Sequence, residues 1–419
     1  MLRALLLLGA LAAGAQLASD DAPFRRADAN ASPRIARLRA DVAAKKRAAV
    51  AAFWAETQTA TAPLVEASPR GPRHSLVTFV WRGSDKTRNV VIVDGVAPGV
   101  GGVLPVNSQL ERLGTTDVWF RTYEIRNDAR FTYKLSENDS MVSLIAPERR
   151  STAVRDPLNP RVSIGFSFVE LAAAPPLLPE KSDAPLAGTV ETARFVNPAT
   201  GNQHTAWVYL PPGFRRDGGA YPLLVVLDGT PYTTTIPGPA ILDALIARGT
   251  IRPTVAVFVD TSFDRAGQLS CSRGFSEMLA TVIVTRTRES YHAGLTARDT
   301  AMAGSSLGGL ASTCAALTHP EVFGNVLSQS GSFWWTPDET PEWAARQVSQ
   351  TPPRTVRFFQ EVGAMEIPQQ LDTNRRFRDA LRSNGVTVDY REFNGNHHYL
   401  AWHSGFADGL VSLFGTAAR

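Results

Sequence analysis

A serine between glycines constrains this chain more than any other feature of its sequence. The pentapeptide at residues 304–308, Gly-Ser-Ser-Leu-Gly, has the form G-x-S-x-G with Ser306 at its centre. Apolar residues that suit a buried strand precede it at 300–303, and small, helix-compatible residues follow at 309–317. Strand, G-x-S-x-G and helix together are the context of a nucleophile elbow, a sharp turn that lifts a serine above a sheet. The flanking glycines, at positions 304 and 308, carry no Cβ atom that could crowd so sharp a turn. The sequence therefore predicts Ser306 as a catalytic nucleophile.

A nucleophilic serine needs a base, which is usually a histidine oriented by a carboxylate. In this architecture the chain order is serine, acid, histidine. His397 and His398 lie in a loop of glycine and asparagine after the strand-like residues 386–393, which is where such a base belongs. Spacing alone does not choose between these two histidines.

The acid should follow the preceding strand, which the sequence predicts at residues 355–363. Glu366 is the first carboxylate after the end of that strand. Glu361 lies inside the strand and Asp372 begins the next helical pattern, so both are alternatives. We therefore predict Glu366 as the acid.

An oxyanion hole needs two N–H donors near the nucleophile. The predicted donors are the backbone N–H of Leu307, directly after the nucleophile, and that of Thr230, in the loop after an apolar strand. Chemistry of this kind needs no metal ion and no organic cofactor, so neither is expected.

The first 15 residues have the pattern of a secretory signal peptide. A positive charge at Arg3 precedes an apolar run at residues 4–13, and Ala13-Gly14-Ala15 has the A-x-A form of a cleavage site. The run is too short to span a bilayer, so no stable membrane insertion is expected. The sequence predicts cleavage after Ala15 and export to the periplasm or the medium; an uncleaved signal anchor is the alternative. Cys271 and Cys314 are the only cysteines, and one disulfide or two buried thiols fit the sequence equally.

Charge and length limit the remaining classes. Lys and Arg exceed Asp and Glu by 43 to 39 and are scattered, so nucleic acid is not an expected partner. The 419 residues suggest two or three domains. After the signal peptide we predict an Ala-rich helical segment at 16–69, a β-sandwich of short β-branched and aromatic strands at 70–171, and a Pro-rich linker at 172–188. Residues 189–419 alternate strands and helices, which is typical of an α/β domain with a mainly parallel sheet.

Several longer motifs resemble one known family. They are Val-Tyr-Leu-Pro-Pro-Gly at 208–213, Leu-Asp-Gly at 227–229, the pentapeptide with Gly309, and Ser-Gln-Ser-Gly-Ser-Phe-Trp-Trp at 328–335. The chain from about residue 73 onward is similar to the enterobactin (enterochelin) esterase family, on the esterase D-like branch of the α/β-hydrolases. The family's G-G-H-D-x-x-x-W pattern falls on residues 395–402 and selects His397 as the base. Its glycine-x-x-acid segment falls on residues 363–366.

The resemblance implies a serine esterase acting on a small-molecule ester, a catecholate siderophore or its ferric complex, with Arg265 and Trp334 contacting the substrate. The chain departs from the family where Gln268 and Ser272 replace a Glu and an Asn, and where His398 replaces an Asp. These departures bear on the substrate more than on hydrolysis. The alternatives are an exported carbohydrate or acyl esterase or an acyltransferase of the same fold, and a binding protein without catalysis.

Overall fold

The computed structural model of this chain describes residues 22–94, 104–144, 146, 149, 152–179 and 185–416. The predicted signal peptide and its cleavage site after Ala15 lie outside these ranges, as do linker residues 180–184. Among the helices in the described ranges, none combines the length and the apolar character needed to cross a membrane.

The N-terminal domain is built from two antiparallel sheets. In the described residues the first sheet has the order β1-β6-β3-β2, with β5 beside β6, and the second has the order β4-β7-β9-β8. Alternate residues of both sheets, such as Phe79, Tyr123 and Phe131, form one buried cluster between them, as in a sandwich. The strands are β1 (Phe24–Arg26), β2 (Leu64–Ala67), β3 (His74–Arg82), β4 (Val90–Val93), β5 (Glu111–Arg112), β6 (Val118–Arg126), β7 (Arg130–Glu137), β8 (Val162–Ser163) and β9 (Phe166–Glu170).

The Ala-rich segment forms two helices, α1 (Pro33–Ala43) and α2 (Ala49–Ala60). Helix α1 starts where the Ser32 side chain accepts a hydrogen bond from the Ile35 N–H. The helical conformation is interrupted between α1 and α2, where Lys45 has a φ of 55°. The strands on either side of this helical pair, β1 and β2, both belong to the first sheet. The predicted boundary at residue 70 therefore falls between two strands of one sheet, and the helices are part of the N-terminal domain. Strands of three and four residues carry too little alternation to be recognised from sequence.

The second domain contains, in the described part of the chain, an eight-stranded sheet of order β10-β11-β13-β12-β14-β15-β16-β17. Strand β11 pairs antiparallel with both β10 and β13, and the remaining neighbours, from β13 to β17 in the sheet order, pair parallel. Central strands such as β12 and β13 are wholly buried runs of Leu, Val, Ala and Phe, as expected for a parallel sheet covered on both faces. The predicted α/β fold is confirmed. The strands are β10 (Thr189–Val196), β11 (Gln203–Leu210), β12 (Leu223–Leu227), β13 (Val255–Val259), β14 (Thr300–Ser305), β15 (Asn325–Gln329), β16 (Arg357–Gly363) and β17 (Thr387–Phe393).

Helices pack on both faces of this sheet and form two buried clusters. The helices are α3 (Pro231–Thr234), α4 (Gly238–Ala247), α5 (Arg265–Leu269), α6 (Arg273–Met278), α7 (Thr285–Tyr291), α8 (Leu307–Thr318), α9 (Trp343–Gln350), α10 (Pro368–Ser383) and α11 (Tyr399–Phe414), with a π-helical turn at Leu279–Val284. Helices α8, α9 and α10 cover one face, and α4 and α11 cover the other. Loops after parallel strands meet at one edge of a sheet, so the loops after β12, β14, β16 and β17 come together there.

The two cysteines form a disulfide in this structure, which answers a question that the sequence left open. The bridge joins Cys271, just after α5, to Cys314 in α8, with the two Cα atoms 5.5 Å apart. That separation is typical of disulfides. The bridge therefore ties the helix that follows Ser306 to the segment packed against it.

Candidate active site

Ser306 occupies a tight turn between β14 and α8. Its backbone has φ 58° and ψ −123°, a conformation that residues other than glycine rarely adopt. The turn needs glycine nearby, because a Cβ on Gly304 would stand 2.6 Å from the backbone carbonyl carbon of Gly308. The Ser306 N–H donates to the carbonyl of Gln329 on the neighbouring strand over 2.9 Å. The serine is thus held in a strained conformation at the edge of the sheet.

His397 and Glu366 form a close pair in the loops after β17 and β16. The Nδ1 of His397 lies 2.5 Å from the Oε2 of Glu366. The carboxylate side chain is fully buried, whereas the imidazole side chain is 40% exposed. Because a carboxylate accepts a hydrogen bond, Nδ1 carries the proton and Nε2 is left with the lone pair of a base. The pair has the geometry expected of a base and its orienting acid in a serine hydrolase.

Two further contacts hold the Glu366 carboxylate in place. Its Oε1 accepts hydrogen bonds from the Gly363 N–H, at 2.9 Å, and from the Ser330 hydroxyl. The Ser330 hydroxyl accepts in turn from the indole N–H of Trp402, at 2.9 Å, and the same indole packs edge-on to His397 with 4.8 Å between ring centroids. Sequence reasoning missed this role of Ser330, although the residue lies in one of the motifs that carried the family resemblance.

The two alternative acids lie elsewhere. Glu361 is buried in the sheet, where its Oε1 accepts a hydrogen bond from the Gln329 side chain over 2.6 Å, and burial raises its pKa to about 8. Asp372 is half exposed and lies 4.0 Å from Arg375. Of the three candidate carboxylates, the structure joins Glu366 to His397.

His398, the other candidate for the base, has a structural role at the start of α11. The Nδ1 of His398 accepts a hydrogen bond from the Leu400 N–H over 3.1 Å and so caps the first turn of α11. Its ring packs edge-on to Phe166 of the N-terminal domain, and the Lys134 ammonium lies 4.0 Å from the centre of that phenyl ring. Burial, with the nearby charges of His397 and Lys134, lowers the pKa of His398 to about 4. His398 is therefore a neutral imidazole at ordinary pH.

A cavity of about 590 Å³ lies between the two domains at this edge of the sheet. The N-terminal domain and the α/β domain both line it, the first with Asp94, Thr132, Arg149 and Phe166, and the second with Ser306, Trp334, Glu366, His397 and His398. The Ser306 hydroxyl lies 3.4 Å from the Ser332 hydroxyl. Ser306 and His397 line the same cavity, and transfer of the Ser306 proton to His397 requires the two side chains to come within hydrogen-bond reach.

The two predicted oxyanion donors lie on adjacent loops. Leu307 begins α8, and the first N–H groups of a helix have no acceptor within the helix. Thr230 follows the strand β12 at the start of α3. A Cβ on Gly308 would stand 3.3 Å from the Asp228 carboxylate, so the two loops are neighbours.

The two residues predicted to contact substrate differ in position. Trp334 lines the cavity, is 40% exposed, and donates its indole N–H to the Gln370 side chain over 2.8 Å. Arg265 instead makes a two-pronged ion pair with Asp228, at 2.8 and 2.6 Å, and is not among the residues that line the cavity. Its guanidinium therefore braces the loop that leads to Thr230. Across the described ranges, no group of three or more His, Cys, Asp or Glu side chains is arranged to hold a metal ion.

Two family models match the chain. The one described as "Putative esterase" matches residues 197–413, more than half of the chain, and the one described as "Enterochelin esterase, N-terminal" matches residues 76–178. The chain belongs to the enterochelin esterase family. As a member of that family it is a hydrolase that acts on esters. The first range falls in the α/β domain and the second in the N-terminal domain, whose residues 22–75, with α1 and α2, lie outside both matches.

Relatives of this enterochelin esterase family member align over most of both chains. An iron(III) enterobactin esterase of Dickeya dadantii is 29% identical over 86% of this chain and 92% of its own length. An iron(III) salmochelin esterase of Escherichia coli is 25% identical over 91% of this chain and 98% of its own length. The crystal structure of a ferric enterobactin esterase from Salmonella typhimurium superposes with a TM-score of 0.69 at 24% identity, covering 86% of this chain and 98% of that one. The structural likeness identifies the fold as an α/β-hydrolase domain behind a smaller sheet domain.

Proposed function

We propose that this protein is an exported serine esterase that cleaves the ester bonds of catecholate siderophores of the enterobactin type. The observation that carries the proposed chemistry is the 2.5 Å contact between His397 and Glu366, beside a strained serine that lines the same cavity. The proposed substrate class is supported by relatives that align along nearly their whole length and are named for enterobactin and salmochelin.

In the proposed mechanism, Ser306 Oγ attacks the ester carbonyl carbon while His397 Nε2 takes its proton. Glu366 holds the imidazole by Nδ1–H and stabilises the imidazolium that forms. The N–H groups of Leu307 and Thr230 stabilise the negative oxygen of the tetrahedral intermediate. His397 then protonates the departing alcohol, which leaves an acyl-serine. Water, activated by His397, attacks the acyl carbon, and the acid and free Ser306 are released.

The chemistry of the cavity supports a catecholate ligand. Catechol rings are flat and aromatic, and their ferric complexes are anionic. Trp334 and Phe166 offer aromatic surface on opposite domains, and Arg149, which is ion-paired with Asp139, lines the N-terminal side. Aromatic faces are suited to stacking with flat catechol rings.

Export is supported by two independent features. The first 15 residues carry the charge, apolar run and A-x-A pattern of a signal peptide. The Cys271–Cys314 disulfide is typical of proteins that fold outside the reducing cytosol.

A substrate panel tests the proposal. Purified protein would be incubated with an enterobactin-type trilactone, its ferric complex, feruloyl and acetyl sugars, and p-nitrophenyl esters, and products would be followed by liquid chromatography and mass spectrometry. We expect the trilactone or its ferric complex to give the highest kcat/KM. The matched control is Ser306→Ala, which keeps the fold and should lose activity by several orders of magnitude, because triad members act as a unit.

Two outcomes would contradict the proposal in different ways. Higher kcat/KM on feruloyl or acetyl sugars, with the trilactone intact, would replace the proposed substrate and keep the chemistry. Absence of turnover on every ester, with no labelling of Ser306 by a fluorophosphonate probe, would make the protein a binding protein.

A further inference from the structure

The loop that carries His397 is bonded to the N-terminal domain. The Arg130 N–H at the start of β7 donates to the carbonyl of Asn394 over 3.0 Å. The side chain of Asn394 donates to the Asp128 carboxylate over 2.8 Å. These contacts cross from one domain to the other within three residues of the proposed base.

Asn396, directly before His397, makes the most extensive of these contacts. Its Oδ1 accepts from the Thr132 N–H at 3.1 Å, and its Nδ2 donates to the Thr132 carbonyl at 3.1 Å. The same Nδ2 also lies 2.6 Å from the Asp94 carbonyl and 3.1 Å from the Thr132 hydroxyl. The residue is only 7% exposed. One side-chain amide thus satisfies both backbone groups of Thr132, as the peptide group of a neighbouring strand would.

The position of this amide in the second sheet explains why it fits there. Strand β9 pairs with residues 130–133 of β7 on one side, and β4 pairs with residues 134–137 on the other. Asp94 directly follows β4. Asn396 therefore continues the line of β4 along the half of β7 that β4 does not reach. Buried backbone groups need such partners, because a group left unpaired has lost its hydrogen bonds to water and gained none in exchange.

We propose that Asn396 is a positioning residue that makes the orientation of His397 depend on the docked N-terminal domain. The inference rests on the proposed role of His397 as the base. Glu366 fixes the imidazole from its Nδ1 side, and Asn396 fixes the backbone one residue earlier. A base displaced by about 1 Å can cost about 100-fold in rate, so a loop held from one side only is a poor support for the imidazole.

The experiment compares Asn396→Ala and Asn396→Asp with the wild type. Alanine removes both the donor and the acceptor, whereas aspartate keeps the acceptor for the Thr132 N–H and places a second oxygen against two carbonyls. We expect both variants to lower kcat about 10- to 100-fold, with KM changed by less than about threefold. We also expect the low-field proton resonance of His397 Nδ1–H, which the carboxylate of Glu366 holds, to broaden or disappear.

The matched control is Asn159→Ala. Asn159 is as buried as Asn396 but lies within the N-terminal domain, where it donates to the Tyr133 hydroxyl and the Phe168 carbonyl, away from the cavity. It should lower the melting temperature to a similar degree while kcat and the His397 resonance stay unchanged. If Asn396→Ala does not fold, Asn396→Gln, which keeps both amide functions on a longer side chain, should give an intermediate kcat.

Wild-type kcat and an intact His397 resonance in both Asn396 variants would overturn the inference. Equal losses of kcat in Asn159→Ala would also overturn it, because the effect would then follow from general destabilisation. Failure of the proposed function would look different: the wild type would hydrolyse no ester, or His397→Ala would retain activity.

Discussion

The carboxylates near the candidate active site differ in environment, and kinetics can separate them. Glu366→Gln should lower kcat by about 100- to 10,000-fold with a small change in KM, because the neutral amide no longer stabilises the imidazolium or fixes its tautomer. Glu361→Gln is the matched control, since this side chain bonds Gln329 rather than His397. Steady-state kinetics of both variants test the assignment. A silent Glu366→Gln beside a crippled Glu361→Gln would mean that the acid is misassigned.

Burial of Glu361 predicts a pH dependence of stability. Its pKa rises from 4.5 to about 8 in the fold, so the folded state binds this proton more tightly than the unfolded chain. Its contribution to the free energy of unfolding is therefore full below pH 4.5 and is lost as the pH rises to about 8. Glu361→Gln, which cannot ionise, should flatten the curve in that window, as measured by urea unfolding at several pH values. An unchanged slope between pH 4.5 and 8 would count against a protonated Glu361.

The adjacent histidines should give opposite phenotypes. His397→Ala should abolish activity on every ester, because it removes the imidazole that pairs with Glu366 and takes the Ser306 proton in the proposed mechanism. His398→Ala should keep most of kcat and alter KM, since His398 caps α11 and contacts Phe166 at the cavity wall. Reversed phenotypes in the same kinetic assay would move the role of base to His398.

At the residue scale, the sequence indicated the candidate catalytic residues but not the residues that hold them in place. Ser306, Glu366 and a histidine at 397 or 398 could be proposed because each follows a recognisable strand in a fixed order, and the family pattern then selected His397. The roles of Ser330 and Asn396 could not, because a hydroxyl that bonds Glu366 and an amide that bonds Thr132 depend on contacts between distant segments. Arg265 was predicted as a substrate contact, and its pairing with Asp228 is likewise a contact between distant loops.

At the element scale, the disulfide should stabilise the fold without serving the chemistry. It joins Cys271 to Cys314 in α8 across a sequence separation of 43 residues. A cross-link over a loop of that size raises the free energy of unfolding by about 4 kcal/mol, because it restricts the unfolded chain. The double variant Cys271→Ser/Cys314→Ala should therefore melt at a lower temperature, with kcat at 25 °C within about twofold of the wild type. Calorimetry and kinetics check this, and reduction of the wild type should reproduce the shift. An unchanged melting temperature in both experiments would contradict it.

The elements that sequence predicted well are those with long, uniform patterns. The apolar strands β12 and β13 are buried on both faces and bounded by glycine or proline, so they could be recognised directly. The Ala-rich segment has one helical pattern in sequence but forms two helices, because Lys45 adopts a positive φ that the pattern does not encode. Strands β1 and β2 owe their existence to pairing with distant partners in the first sheet.

At the scale of the whole molecule, the predicted signal peptide at residues 1–15 leads to a testable expectation about where the protein is located. Expressed with its first 15 residues in a Gram-negative bacterium, the chain should be recovered from the periplasm or medium with Gln16 as its first residue, as read by mass spectrometry. The control is Leu7→Arg/Leu8→Arg, which interrupts the apolar run and should leave the chain uncleaved in the cytoplasm. Full-length wild-type protein in the cytoplasm would contradict the prediction.

The shared wall of the cavity has a consequence for how such enzymes diverge. The N-terminal domain supplies cavity side chains such as Arg149 and Phe166 but none of the three proposed triad members. Its bonds to Asn396 fall mostly on backbone atoms, which survive almost any exchange of side chain. Substitutions of those side chains can therefore change which ester binds while the proposed triad is kept. We expect relatives that act on a different ester to differ first in the cavity side chains of the N-terminal domain.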